Sequence, residues 1–185
     1  MMNTIDLSSV LRQTLACDLY SNLVTRPTGA AVRGQIELLL SSSQERALTV
    51  IDFSQVSIID FSCADEVVAK LLMRYGVEDP PQDAYFIFRG VSEDHRFAIE
   101  SVLERHGLAL VLEVDGGAQV VGDLTSDERI AWNMLYRLGR GDEHDVVRET
   151  GLHVDDARHV LDGLCRRRLI MPVEDGFAAV GNTRG

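Results

Sequence analysis

The sequence predicts an α/β fold followed by a smaller, mostly helical unit. Three observations predict it. Short β-branched apolar runs alternate with segments of helical apolar periodicity up to about residue 115. A glycine-bearing stretch, Asp115-Gly116-Gly117 through Gly122-Asp123, then ends the β-rich part. Beyond it come three helical segments and one hairpin. The units are therefore residues 1–122 and 123–185.

The elements follow in order. Thr4-Ile5-Asp6-Leu7 has the composition of a short strand, and residues 13–24 fit no single pattern. A helix starts near Pro27, where a missing N–H costs little in the first turn, and Val32, Ile36, Leu39 and Leu40 share one face. Residues 47–53, ALTVIDF, are a β-branched run of strand length, suited to burial on both faces. Val56-Ser57-Ile58-Ile59 leads to Asp60-Phe61-Ser62-Cys63-Ala64-Asp65-Glu66, where a helix begins. Ala64, Val67, Val68, Leu71 and Leu72 form its stripe, and Ser62 stands at capping-box distance from Asp65. Pro80-Pro81 precedes the strand 84–88. Ser92-Glu93-Asp94 opens a helix carrying Phe97, Ile99, Val102 and Leu103 and closed by Gly107. Its end histidines, His95 and His106, read as surface residues. A strand at 108–113 and a hairpin into 118–121 complete the unit.

The chain has 185 residues, 45% apolar and 25% charged, a balance that excludes wholesale disorder. Its net charge is −11, divided as −8 and −3 between the two units. Such a surface repels nucleic acid and anionic lipid at long range unless a local basic patch intervenes. Cys17, Cys63 and Cys165 lie far apart, with no metal or redox spacing, which fits reduced thiols in a cytoplasm. No apolar run is long enough to span a membrane, and the N-terminal segment lacks the pattern of a secretion signal. Gly-rich phosphate loops, GxSxG, HExxH and CxxC are all missing from the sequence. The histidines suggest no metal site, since His153 and His159 are six apart, and no cofactor is implied. An enzyme is the least supported class, with no nucleophile–base pair in view.

The block VIDFSQVSIIDFSCADEVVAKLL, residues 50–72, resembles the central strand–turn–helix of STAS domains, the family of bacterial anti-sigma-factor antagonists. It is most similar to a divergent group whose helix opens with a Ser-Phe-Ala-Asp-Glu type sequence. The stretch TRPTGAAVRGQIE, residues 25–37, resembles the same group, and the likeness covers about residues 20–115. The resemblance implies a STAS-like mixed sheet with helices. It also implies a regulatory protein whose partner is a histidine-kinase-like ATPase or anti-sigma factor, docking on the helix start: Asp60, Phe61, Ser62, Asp65 and Glu66. In such antagonists the helix begins Asp-Ser-Ser-Gly, and the first serine is phosphorylated by the partner. Here Phe61 occupies that position and Cys63 replaces the glycine, so phosphorylation transfers only to the neighbouring Ser62.

Physically, a phosphate on Ser62 would meet unpaired N–H groups at the helix start, opposed by negative charge from Asp60, Asp65 and Glu66. The plainer role of Ser62 is a helix cap worth about 1 kcal/mol. Phe61 has two readings, an exposed aromatic anchor or a core residue under the helix.

In the second unit Thr125 and Glu128 form a capping box. Ile130, Ala131, Met134, Leu135 and Leu138 line one side of that helix. Trp132 and Tyr136 pair on the other, facing the first unit, a second subunit or solvent. A short helix at 144–150 ends at Gly151, a third starts near Val154, and Glu174-Asp175-Gly176 turns a hairpin. The stretch VVRETGLHVDDARHVLDGLCRRRLI, residues 146–170, resembles the middle of bacterial winged helix-turn-helix domains. That likeness implies a DNA-binding alternative through Arg158, His159, Arg166, Arg167 and Arg168. Asp155, Asp156 and Asp162 on the same helix oppose phosphate contact, which favours docking or homodimerisation over DNA.

Overall fold

The computed structural model describes residues 2–6, 22–41 and 47–182. The elements are β1 (Met2–Asp6), β2 (Asn22–Leu23), α1 (Arg26–Ser41), β3 (Ala47–Asp52), β4 (Ile58–Ile59), α2 (residues 61–75), β5 (Ala84–Arg89), α3 (Glu93–His106), β6 (Ala109–Val114) and β7 (Gly117–Gly122). There follow α4 (Ser126–Leu138), α5 (Glu143–Thr150), α6 (Val154–Arg166), β8 (Ile170–Val173) and β9 (Gly176–Ala179). Leu7, Cys17 and the ambiguous residues 13–21 lie outside the described residues.

The main sheet is mixed, in the order β1-β3-β5-β6-β7. Its first four strands are parallel and β7 returns antiparallel to β6. Alternation along the strands sorts side chains to two faces. Ile51, Phe86, Phe88, Leu110 and Leu112 point to the first, where Val32, Ile36, Val67, Val68, Leu71, Ile99 and Val102 from α1, α2 and α3 cover them. Within α1 the expected apolar face is only partly buried: Val32, Ile36 and Leu40 are inside, Leu39 is exposed. Phe97 of α3 is likewise outside the core, at 83% exposure.

Val50, Tyr85, Ile87, Ala109, Val111 and Val120 point to the second face. Ala131, Trp132, Leu135, Leu161, Leu164 and Ile170 of the C-terminal segment pack on them in one continuous cluster. Residues 123–182 thus form the second covering layer of the sheet. The three-layer arrangement explains why β3 and β5 read as continuous apolar runs rather than alternating ones.

Trp132 is fully buried, and its indole N–H donates to the Leu169 carbonyl at 2.9 Å. Tyr136 stacks on it, centroids 5.2 Å apart and planes 9° from parallel, a geometry that adds about 0.5–1.5 kcal/mol to area burial. The Tyr136 hydroxyl accepts the Ala118 N–H at 2.9 Å. Of the three surroundings open to this pair in the sequence, the first unit is the one observed. Arg129 donates to the carbonyls of Val120 and Gly122, which satisfies acceptors on the outer edge of β7.

Among the described residues, three helix starts carry reciprocal caps: Thr125 with Glu128, Asp142 with Asp145, and Ser92 with His95. The last corrects the surface placement of His95, which is buried, takes the Ser92 N–H on Nδ1 and packs near Phe53. Gly107 ends α3 in the left-handed region, φ 61°, where a side chain would be strained. No helix among the described residues is long and apolar enough to cross a membrane.

Candidate functional site at the start of helix α2

The buried run of β3 and the short β2–β4 ladder deliver the chain to Asp60. Asn22 pairs with Ile58 and Leu23 with Ile59, and the Asp60 N–H donates to the Leu23 carbonyl at 2.9 Å. Asp60 is the cap of α2: Oδ1 accepts the Cys63 N–H at 2.7 Å. Its Oδ2 accepts the Thr25 N–H at 2.9 Å. One carboxylate therefore fixes the start of α2 and the residue before α1. Thr25 sits at φ 73°, a left-handed conformation that costs a β-branched residue energy and that the Asp60 bond offsets. This corrects the capping assignment: Asp60 caps and Ser62 lies, half-buried, in the first turn.

Helix α2 consists of an α segment Phe61–Ala64, a π turn Asp65–Ala69 and an α segment Lys70–Tyr75. In the wide turn the Lys70 N–H reaches the Asp65 carbonyl. Such turns occur often at functional sites. Here it coincides with the two acidic residues.

Asp65 and Glu66 are buried, at 7% and 2% exposure. Arg26 Nη1 donates to Asp65 Oδ2 and to Glu66 Oε1, both at 2.7 Å. His106 Nε2 lies 2.8 Å from Asp65 Oδ1. Glu66 also pairs with Lys70, and with Arg33 at 3.3 Å. Burial pushes the Asp65 carboxyl up, but hydrogen bonds from Arg26 and His106 outweigh it and hold the group below its ordinary value. Glu66 follows the same pattern, with Lys70, Arg26 and Arg33 overcoming burial. The expected acid-crowded, solvent-facing turn is therefore corrected. Of the five predicted docking residues, Asp65 and Glu66 face inward as anchors for α1 and α3, and Asp60 is committed to two backbone N–H groups.

Phe61 remains at the surface, 36% exposed, with the Arg105 guanidinium 5.5 Å over its ring, within cation–π range. Cys63 is buried, its Sγ–H donating to the Thr25 carbonyl at 2.9 Å. Burial, then the charge of Asp60, pushes its thiol up to about 12, which makes it a packing group rather than a nucleophile.

The residues proposed for DNA occupy other roles. Arg167 grips Glu128 Oε1 and Oε2 at 3.2 and 3.4 Å and also reaches the Asp123 carbonyl. Arg168 donates to the Tyr75 carbonyl, Asp83 and Tyr85 Oη. Both are corrected from surface contacts: Arg167 closes on Glu128 and Asp123 of its own layer, and Arg168 is a seam residue between the C-terminal layer and the sheet unit. Arg166 lies 3.5 Å from Glu78, and Arg158 pairs with Asp155 and Glu143. His159 is exposed.

Among the described residues, no group of three His, Cys, Asp or Glu is placed to hold a metal. A cavity of about 590 Å³ opens between the β6–β7 hairpin and the end of α4, lined by Ile87, Glu113, Tyr136, Arg137 and Asn182. It lies toward the second face of the sheet, away from α2.

Sequence reasoning missed Arg26, Arg33, Arg105 and His106 as partners of this region. One signal was present: Lys70 follows Glu66 by four residues, the spacing of a helix ion pair. No known protein family, curated protein or solved structure matches the chain.

Proposed function

We propose that the chain is a non-enzymatic bacterial regulatory protein. Its sheet unit is a STAS-like module that binds a protein partner, a histidine-kinase-like ATPase or anti-sigma factor, through the first turn of α2. The observation that carries this is the division of labour in that turn. Asp60, Asp65 and Glu66 pin the helix to its neighbours, while Phe61 and Ser62 stay accessible at its tip. A rigid helix end presenting an aromatic side chain has the features of an interaction anchor. The C-terminal layer, a winged-helix-like segment, stabilises the sheet and carries docking, homodimerisation or output. With Arg167 committed to Glu128 and Arg168 held at the seam, DNA reading is the weaker alternative.

Phosphorylation of Ser62 fits the same turn. It would add about −1.5 to −2 charge beside Phe61 and alter the surface that a partner sees.

The test is a pull-down from the native host with wild-type protein and the variant Phe61→Asp, each partner being identified by mass spectrometry. Recovery of an ATPase or sigma-pathway protein by wild type and its loss with the variant support the proposal. Recovery of neither class counts against it. Intact-mass measurement of the recovered complex after adding ATP, with Ser62→Ala as control, reads the modification directly.

A further inference from the structure

The acidic residues of the α2 start are hidden and the cations that neutralise them are not. Side chains of Asp65, Glu66 and Glu37 are 10%, 3% and 16% exposed, whereas those of Arg26, Lys70 and Arg74 are 49%, 40% and 49% exposed. Together with Arg33, four permanent cations share these three carboxylates. Asp60, the remaining acid of the turn, has an oxygen on each of two backbone N–H groups. Arg105 adds a further exposed cation over Phe61. On a chain of net charge −11 this turn shows its cations outward and its carboxylates inward; Glu93, Glu100 and Glu104 are exposed acids of the neighbouring α3.

Exposed apolar side chains border the turn. Phe97, Ser101 and Arg105 follow at four-residue steps along α3, so they share one stripe. Arg105 ties that stripe to Phe61. Ile58 and Phe97 are exposed at 54% and 83%, and β4 packs beside α3.

We infer that this face docks an acidic segment of a partner protein that also carries apolar side chains: carboxylates against Arg26, Lys70 and Arg105, apolar groups against Phe61 and Ile58. Complementary charge at a rim sets specificity and association rate, while the aromatic centre supplies affinity. The inference rests on the proposed docking role of α2 and adds the chemistry of what docks.

The test uses the full chain and fluorescence anisotropy with a labelled 12-residue peptide of glutamates alternating with Phe and Leu. A second peptide replaces each glutamate by lysine. Bulk electrostatics of a −11 protein favours the lysine peptide. The inference expects binding of the glutamate peptide, weakened tenfold or more by Arg105→Glu and by Phe61→Ser. Arg148→Glu, on the exposed side of α5, leaves it unchanged. Raising salt from about 0.05 to about 0.5 M weakens it as well. Circular dichroism confirms that each variant is folded. Failure of the glutamate peptide to bind, or binding indifferent to Arg105→Glu and Phe61→Ser, overturns the inference. An ATPase partner that needs Phe61 but ignores Arg105 and salt would leave the proposed function standing and remove this addition to it.

Discussion

Arg168 Nη1 donates to Asp83 Oδ1 at 2.9 Å, joining the second residue after α6 to the entry of β5 across 85 positions of chain. The same guanidinium donates through Nε to the Tyr75 carbonyl at 3.1 Å and lies 5.4 Å over the Tyr85 ring. Its backbone is left-handed, φ 60°, so the position is held by these contacts rather than by local preference.

Arg168→Ala is expected to lower the unfolding free energy by about 1–3 kcal/mol, the cost of leaving partners of a part-buried cation unmet. Arg168→Lys rescues little, because an ammonium cannot serve a carbonyl, a carboxylate and a ring face at once. Arg166→Ala, whose pairing with Glu78 is surface-exposed, changes stability by less than about 1 kcal/mol. Urea midpoints of the three variants check this. Equal effects of Arg166→Ala and Arg168→Ala would show that the seam is not where the stabilisation lies.

Two glycines of α1 should respond in opposite directions. A Cβ on Gly29 would stand 2.9 Å from Cys63 Cα and 2.9 Å from Glu66 Cβ, closer than packed carbons tolerate. A Cβ on Gly34 meets nothing within 4 Å. Gly34→Ala therefore gains the helix propensity of alanine, up to about 1 kcal/mol. Gly29→Ala gains the same term but forces α1 from α2, at a cost of about 1–3 kcal/mol. Thermal melts of the pair should shift upward for Gly34→Ala and downward for Gly29→Ala. A stabilised Gly29→Ala would mean that the two helices have room to separate.

The contrast between these glycines marks what the sequence could reveal. The strands β3, β5 and β6 and the helices α2 to α6 were legible because apolar spacing is local. The Thr125–Glu128 box was legible for the same reason. The destination of Asp65 and Glu66 was not, because three of their partners come from α1 and α3, some 30 to 40 positions away. An acidic helix start favours solvent unless such partners arrive. Asp60 took the cap from Ser62 because its carboxylate also serves the Thr25 N–H, a contact set by the β2–β4 ladder. The run Arg166-Arg167-Arg168 read as one solvated or DNA-facing patch. Instead Arg167 closes on Glu128 of its own layer and Arg168 turns into the seam, a distinction fixed by the left-handed backbone at Arg168 and by long-range contacts that local spacing cannot express.

The carboxyls of Asp65 and Glu66 link stability to acidity. Burial pushes both up, yet their hydrogen bonds from Arg26, His106 and Lys70 hold both below their ordinary values. The unfolded chain therefore binds more protons than the folded one as pH falls. The stabilisation is fully present above the unfolded carboxyl range, about pH 4 to 4.5, and is lost as pH drops through the lower, folded values. Glu66→Gln removes one of these groups while keeping its shape. At about pH 7 the variant should be less stable by about 1–3 kcal/mol. Its stability should also fall less steeply in acid, so that the wild-type and variant curves converge toward about pH 3. Urea unfolding across that range reads both. Curves that stay parallel would show that Glu66 is equally favoured charged and neutral in the fold, contrary to its three cationic partners.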